Sequence, residues 1–556
     1  LPKLIIDNKE VEYNTGQTVI EAAKTSGIEI PHFCWHPGLS VSGNCRICLV
    51  EIEKLPKLAI ACSTAATEGM VVHTKSPKVI EAQNAVMEFL LINHPLDCPI
   101  CDEAGECKLQ DYSFKYSKGL SRFDEEKNHK DKRISLGPNV LFDQERCISC
   151  SRCIRFCDEI AKEPQLTFVK RGEKVTIKTF PGKELDNPYS MNVIEICPVG
   201  ALTSKHFRFR SRVWDMSFTD SICPGCSRGC NSIIGVRQNE ILRIEPRENL
   251  EVNNWWLCDW GRLNTIKDLS NTEKRYNLPM IKSEEEESED RIIIEVAWEE
   301  AVSKAVSVLT GKKGNILFIA SPFSTLEDNY ALKKFAKEVF NSSDVFYIPQ
   351  IDESFGDDIL RKSDKTPNSK GMQSLGIKPL QEDTLNDINS GKYKALYVIN
   401  DDISRNSGLS RLISKFEVSV FHLSLKNKFS DSIADIIFSE SSYAEINGTF
   451  MNFQGRIQRL RPALATLEQE RLLGEYSLSR LDKFGAPNDR WTKDNRFNAR
   501  PTWKILKQIA KVFGVDFKFE NSEEVFTELC KEAFGINDMD YDKVGNKGYI
   551  IQTNKV

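Results

Sequence analysis

No run of 18 consecutive apolar residues occurs in this chain, so no segment is expected to cross a membrane as a helix. The opening residues, Leu1-Pro2-Lys3-Leu4-Ile5-Ile6-Asp7, lack the basic, apolar, small-residue order of a secretory leader, and none is expected. Basic charge is not in excess. The 75 Lys and Arg against 80 Asp and Glu give a net charge of -5, so no nucleic-acid partner is expected. No glycine-rich phosphate fingerprint follows a strand pattern. Gly311-Lys312-Lys313-Gly314 reads as a turn rather than a phosphate cradle, and no dinucleotide site is expected in this chain. Cysteine is missing between Cys258 and Cys530, so the second half lacks the thiols that would build a metal centre there.

Cysteine is concentrated in the first half instead. Sixteen of the 17 lie between Cys34 and Cys258. A disulfide framework is one reading. Such frameworks belong mostly to short secreted chains, and the repeated C-x2-C pairs favour metal or redox chemistry in a reducing compartment. With 556 residues, 40% hydrophobic and 28% charged, the chain should hold three to five soluble globular domains.

The stretch around residue 100 organises the rest. A helix from Val79 to Leu91, with Ile80, Val86, Met87, Leu90 and Leu91 apolar, delivers the chain into His94. His94, Cys98, Cys101 and Cys107 then follow as H-x3-C-x2-C-x5-C. An isolated histidine would read as a surface residue. Beside three cysteines it can take the fourth corner of one metal cluster. A neutral imidazole in place of a thiolate leaves such a cluster less negative and raises its potential. Cysteines lie on both sides of this stretch, which reads as the middle rung of an iron–sulfur ladder.

Upstream, Leu4-Ile5-Ile6 and Val11-Glu12-Tyr13 read as strands about an Asn8-Lys9 turn. Thr18 caps a helix over Val19 to Lys24 that ends at Gly27, and a hairpin followed by a helix suggests a β-grasp domain. Its Cys34, Cys45, Cys48 and Cys62 are spaced C-x10-C-x2-C-x13-C and suit a [2Fe–2S] centre. Gly38, Gly43, Ser40, Ser42 and Asn44 are small enough to let backbone approach the sulfides and donate N–H groups to them. Four thiolates also suit zinc, and that alternative stays open.

Downstream, Cys147, Cys150, Cys153 and Cys157 form C-x2-C-x2-C-x3-C, and Cys197-Pro198 follows. In two-cluster ferredoxins the fourth Cys of such a run serves the other cluster. The offsets laid back from Cys197 fall on Asn187, Ser190 and Val193, so the second triad is missing. One [4Fe–4S] cluster on Cys147, Cys150, Cys153 and Cys197, with Cys157 left over, is the preferred reading. A local site closed by Cys157 is the other. Arg146, Arg152 and Arg155 in the same run either form a solvated basic face or compensate a negative cluster. Cys223, Cys226, Cys230 and Cys258 give C-x2-C-x3-C-x27-C with two strand-like runs about Gln238-Asn239 between them. They suit a further [4Fe–4S] cluster, with zinc again the alternative.

Beyond residue 270, an acidic run from Glu284 to Asp290 before Arg291 reads as a solvated loop. Apolar strands over 316–320, 345–348, 395–399 and 418–421, with helices over 331–340 and 409–416 among them, suggest α/β layers on a mostly parallel sheet. Trp491, Trp503 and a helical pattern over 505–512 close the chain without an assigned role beyond packing or docking.

The Cys34–Cys62 spacing resembles the [2Fe–2S] domain of the large iron–sulfur subunit of respiratory complex I. The His94 motif is similar to that of the same family and of iron-only hydrogenases. The Cys223–Cys258 motif resembles the [4Fe–4S] domain of molybdopterin oxidoreductases such as formate dehydrogenase. Trp298-Glu299-Glu300-Ala301, Glu327-Asp328-Asn329-Tyr330 and Glu445 to Asn452, running into Gly455-Arg456-Ile457-Gln458, resemble the body of that family more loosely. In its order of motifs the chain resembles the family of large iron–sulfur subunits of bacterial NADH:quinone oxidoreductase. The resemblance implies a multidomain α+β and α/β chain: 1–79 β-grasp [2Fe–2S], 80–134 helical His-Cys [4Fe–4S], 135–215 ferredoxin-like [4Fe–4S], 216–270 molybdopterin-type [4Fe–4S], and 271–556 a degenerate α/β body without molybdenum cofactor. It implies an electron relay with no catalytic acid, base or nucleophile. FMN and NADH would sit on a partner flavoprotein. Downstream iron–sulfur and quinone-site subunits of the peripheral arm would receive the electrons. Membrane association, at the cytoplasmic face of the bacterial inner membrane, would come only through partners. A molybdenum-dependent formate dehydrogenase catalytic chain and an iron-only hydrogenase remain alternatives, but each needs ligands that are not found here.

Overall fold

The computed structural model describes residues 1–283, 292–468, 476–477 and 496–551. The acidic run Glu284–Asp290, Arg291 and Trp491 lie outside the described residues. Two compact units divide the chain, Leu1–Trp214 and Asp215–Val556.

The first unit opens on a hairpin of β1 (Lys3–Ile6) and β2 (Lys9–Glu12). Ile6 pairs with Lys9, so the turn is Asp7-Asn8, one residue earlier than expected. Both turn residues are left-handed (φ 50° and 67°), as a two-residue hairpin loop requires and as Asp and Asn tolerate. Helix α1 (Val19–Thr25) starts at a capping box in which the Thr18 N–H donates to Glu21 Oε2 at 2.8 Å. It buries Val19, Ile20, Ala22 and Ala23 against a five-stranded sheet completed by β3 (Leu49–Ile52), β4 (Ala59–Ile60) and β5 (Val71–His73). The order is β2-β1-β5-β3-β4, with β1 and β5 parallel. Cys48 and Cys62 belong to this core, so two thiols of the first group rise from it.

Helix α2 (Pro77–Ile92) carries Pro at its first position and is capped by Ser76, whose side chain accepts the Val79 N–H. It buries Val79, Gln83 and Met87, one residue per turn, while Ile80 and Phe89 face outward. The expected apolar set therefore names the wrong face at Ile80. After one 3-10 turn over Cys98–Ile100 the chain enters α3 (Lys108–Tyr116). The next segment contributes α4 (Arg152–Glu159) and a three-stranded antiparallel sheet of Ile134–Ser135, Val140–Phe142 and Leu202–Ser204.

The second unit begins with an antiparallel meander of Ser217–Ile222, Asn231–Arg237 and Glu240–Pro246. Gln238 and Asn239 turn between the last two strands, both left-handed. Its larger part is an eight-stranded sheet. Six neighbouring strands run parallel: Ile436–Ser439, Val418–Leu423, Ala395–Ile399, Ile316–Ala320, Val345–Tyr347 and Lys378–Pro379. The mostly parallel sheet is as expected. ILFIA and ALYVI are buried at every position, as strands covered on both faces must be. The expected helix over 409–416 is broken into Ser407–Arg411 and a 3-10 turn over Ile413–Lys415. Arg275 and Glu445 form an ion pair at 2.8 Å with both side chains fully buried. Removing either partner would strand a charge at a cost of about 3–5 kcal/mol.

Asp401, just past the strand Ala395–Ile399, is 2% exposed, and neither carboxylate oxygen meets a hydrogen-bond partner of normal geometry. Burial lifts its pKa to about 7. The folded state therefore holds this proton where the unfolded chain, near pKa 3.9, has lost it, and stability falls as pH rises through that window. Asp401→Asn is expected to stabilise this unit at pH 8 by on the order of 1–3 kcal/mol, with the gain shrinking towards pH 4. Urea unfolding at pH 4, 6 and 8 checks it; an equal gain at all three would contradict the ionisation argument.

Candidate iron–sulfur sites

The 17 cysteines are all free thiols, so the disulfide reading is not realised. Cys34, Cys48 and Cys62 are buried and Cys45 is half-buried. The Cys34 N–H donates to Cys45 Sγ at 3.4 Å. Hydrogen bonds from Cys45 and Cys62 drive the Cys34 thiol down, while Cys45 and Cys62 are pushed up. Of the small residues of the loop, the Asn44 N–H reaches the Cys34 thiol as expected, while the Ser40 N–H and the Ser42 and Asn44 side chains bind elsewhere. The Ser40 N–H donates to Glu159 Oε2 at 2.8 Å, Asn44 Nδ2 donates to the Ser149 carbonyl at 3.0 Å, and Ser151 Oγ donates to Ser42 Oγ at 3.2 Å. They fasten the loop to the segment carrying the third group.

His94, Cys98, Cys101 and Cys107 line one cavity of about 220 Å³, with Arg146 and Gly200 among the other walls. Cys98 is exposed, and Cys101 and Cys107 are buried. Burial, then the Arg146 charge, holds His94 down at about 4, so its imidazole is neutral and able to ligate near neutral pH. Burial pushes Cys107 up to about 12.

Cys147, Cys150, Cys153 and Cys197 line a second cavity together with Phe142, Val199 and Leu202. Ser149 and Ser151 are both left-handed (φ 52° and 64°), which curls the loop around Cys150. Ser149 N–H donates back to Cys147 Sγ at 3.4 Å. Burial raises all four thiols, and the others of the group add to the rise at Cys147, Cys153 and Cys197. Cys157 lies one turn further along α4, buried but not among the cavity walls, and burial and Glu163 push it up to about 12. Asn187, where the missing triad would begin, instead donates to Gln165 Oε1 and accepts from the Tyr189 N–H.

Arg146 and Arg152 of this run do not form a solvated face, since each is only 4% exposed. Arg146 pairs with Asp97 at 3.0 Å and with Asp143 at 3.4 Å beside the His94 cavity. Arg155 donates to the Cys34 carbonyl at 2.5 Å and to the Ser40 carbonyl. On the other flank, the Cys107 thiol faces the Pro198 carbonyl at 3.9 Å. The third group therefore adjoins both of the others.

In the second unit Cys223, Cys226, Cys230 and Cys258 are all buried, and burial raises each of them. Neighbouring thiols of the group add to the rise at Cys223, Cys230 and Cys258. Gly225 N–H donates to Cys223 Sγ and Gly261 N–H to Cys258 Sγ, each at 3.4 Å. Cys530, by contrast, is a core residue of the helix Ser522–Phe534.

Sequence reasoning missed the glycines that make room for these thiols. A Cβ on Gly200 would stand 2.3 Å from Cys101 Sγ, and one on Gly261 would stand 2.7 Å from Cys223 Sγ. Each follows a cysteine as C-x2-G, in Cys197-Pro198-Val199-Gly200 and Cys258-Asp259-Trp260-Gly261, and that repeat is the signal that could have found them. Among the described residues no three His, Cys, Asp or Glu groups converge on a single-ion position. In the second and third groups the donors line a volume, and soft thiolates with one imidazole around a volume fit an iron–sulfur cluster.

Four family profiles match the chain in the order of its motifs. They are a 2Fe-2S iron-sulfur cluster binding domain (3–77), the NADH-ubiquinone oxidoreductase-G iron-sulfur binding region (83–120), the NADH-quinone oxidoreductase subunit 3 ferredoxin-like domain (137–203) and the molybdopterin oxidoreductase Fe4S4 domain (216–265). The NADH-quinone oxidoreductase G subunit of Rickettsia felis is 41% identical over 355 residues, 64% of this chain and 51% of its own length. Over that stretch the chain is similar to NADH-quinone oxidoreductase G subunits. That of Streptomyces coelicolor is 38% identical over 65% of this chain and 42% of its own. The mitochondrial NADH-ubiquinone oxidoreductase 78 kDa subunit of Neurospora crassa is 40% identical over 62% and 45%. The chain spans about half the length of the curated relatives it matches. A solved NAD+-reducing [NiFe]-hydrogenase chain, 28% identical over 38% of this chain and 91% of its own, superposes with a TM-score of 0.35. Each cysteine group falls within one matched segment, so the chain carries iron–sulfur domains of both the 2Fe-2S and the Fe4S4 kind.

Gly200→Ala is expected to force Cys101 out of place and to lower the iron bound per chain relative to the unaltered protein. Iron assay of the anaerobically purified variant reads this, and an unchanged content would mean that the thiol can yield to a methyl group at no cost.

Proposed function

We propose that this chain relays electrons within an NADH:quinone oxidoreductase through four iron–sulfur clusters. A [2Fe–2S] centre would be held by Cys34, Cys45, Cys48 and Cys62. Three [4Fe–4S] centres would be held by His94, Cys98, Cys101 and Cys107; by Cys147, Cys150, Cys153 and Cys197; and by Cys223, Cys226, Cys230 and Cys258. The observation that carries this reading is the gathering of the second and third groups' donors into the walls of two cavities, with Cys157 outside them. When bound, such clusters take up and release single electrons, with potentials set by ligand type, hydrogen bonds and burial. The chain's own residues hold the thiolates largely out of water, Cys98 being the exposed one, and direct N–H groups at Cys147, Cys223 and Cys258.

The domain division 1–79, 80–134, 135–215, 216–270 and 271–556 belongs to this reading, with a β-grasp first domain and a molybdopterin-oxidoreductase-like body without molybdenum. So do the partners: a flavoprotein bearing FMN and NADH upstream, and iron–sulfur and quinone-site subunits downstream. No helix among the described residues is long and apolar enough to cross a membrane. In this reading the chain belongs to a peripheral arm at the cytoplasmic face of the bacterial inner membrane and is held there by those partners.

Metal analysis tests the proposal. One [2Fe–2S] and three [4Fe–4S] centres sum to roughly 14 iron atoms per chain. Zinc in place of iron would end the electron-transfer argument, and stoichiometric molybdenum would move the chain to the formate-dehydrogenase class. Cys197→Ala is expected to abolish the EPR signal of the third centre while Cys157→Ala leaves it. The reverse result would reassign the fourth ligand.

A further inference from the structure

Arg152 lies between two thiol groups without a carboxylate of its own. It is 4% exposed, and among the described residues no Asp or Glu pairs with it. Its Nη1 donates to the Ile196 carbonyl at 3.0 Å, and its Nη2 donates to the Trp35 carbonyl. Ile196 precedes Cys197, and Trp35 follows Cys34. One guanidinium thus joins the backbone beside a ligand of the first group to the backbone beside a ligand of the third. Arg152 also sits between Cys150 and Cys153 in sequence.

A guanidinium cannot shed its charge at any working pH, and a buried cation without an anion is costly. Two carbonyl dipoles solvate it in part, and Nε finds no partner. The remaining negative charge within reach is that of the thiolate groups themselves. By contrast, Arg146 beside the His94 cavity is already paired with Asp97 and Asp143. Of the two buried arginines in the Cys147–Cys157 run and its first flanking residue, Arg146 and Arg152, only Arg152 lacks a carboxylate partner.

From this we infer that Arg152 is a positioning residue shared by the [2Fe–2S] centre and the Cys147–Cys197 centre, holding both potentials up through its uncompensated charge and fixing the two ligand loops to each other. The inference rests on the four-cluster reading above. Each electron added to either centre makes its surroundings more negative, and a fixed cation between them stabilises both reduced forms.

EPR-monitored redox titration of the anaerobically purified full chain tests it, with Arg152→Gln and Arg152→Lys beside the unaltered protein. Arg152→Gln should lower the one-electron equilibrium constants of both centres about tenfold, about 59 mV each. Arg152→Lys, which keeps the charge, should restore most of that, and the His94 centre should stay unmoved in both. If Arg152→Gln loses both clusters, Arg152→Lys retaining them at unaltered potentials still supports the shared charge. Unchanged potentials in Arg152→Gln, an equal fall in Arg152→Lys, or an equal shift of all three centres would overturn it. Absence of both signals from the unaltered protein would overturn the four-cluster reading as well, which separates the two failures.

Discussion

The structure depends on the cost of keeping many thiols close together away from water. Burial disfavours the thiolate, and each neighbouring sulfur disfavours it further. Cys147 rises to about 11 and Cys258 to about 12, and Cys153, Cys197, Cys223 and Cys230 go well above the ordinary thiol value. A protein that needed only a hydrophobic core would not gather such groups. Iron supplies the positive charge that lets the protons leave, and metal binding and proton release are then one event. The same burial that makes thiolates without metal unfavourable makes the loaded sites tight, because water that could replace a ligand is excluded.

Backbone geometry supplies the rest. Left-handed Ser149 and Ser151 bend the third loop so that an N–H group faces sulfur instead of continuing a helix. The glycines at 200 and 261 let one chain segment lie against a thiol of another, at distances no Cβ would permit. Gly200 is itself three residues past a thiol of the third group and borders a thiol of the second. Contacts of this kind couple neighbouring sites, because any movement of one loop is felt as a steric or electrostatic change by the next.

Much of this was legible in sequence. The grouping of thiols in the second and third cavities can be read from spacing, since a C-x2-C pair brings two sulfurs to one side of a turn whatever surrounds it. The parallel strands of the body are legible because ILFIA and ALYVI leave no polar face. What spacing does not carry is the packing between segments. The apolar pattern of α2 misplaces Ile80, since the narrow buried stripe, Val79, Gln83 and Met87, includes a polar residue. The Ser40 N–H reads as a donor to the sulfides, but its partner, like those of the Ser42 and Asn44 side chains, is more than 100 residues away in the chain. The adjacency of the third group to the other two has the same origin, because it arises from contacts among three segments that sequence order keeps apart.

That adjacency bears on how a relay is built. Two negatively charged centres held close repel each other, and each electron that enters one makes the next harder to accept in the other. Carboxylate-paired arginines such as Arg146 contribute little against this, because their charge is already spent on Asp97 and Asp143. A guanidinium solvated by main-chain carbonyls keeps its field. It can act on two sites at once, provided the loops on both sides offer carbonyl oxygens at the right separation, as Trp35 and Ile196 do. The choice of arginine follows, since its planar fork reaches two acceptors in different directions while a lysine ammonium reaches one with comparable rigidity.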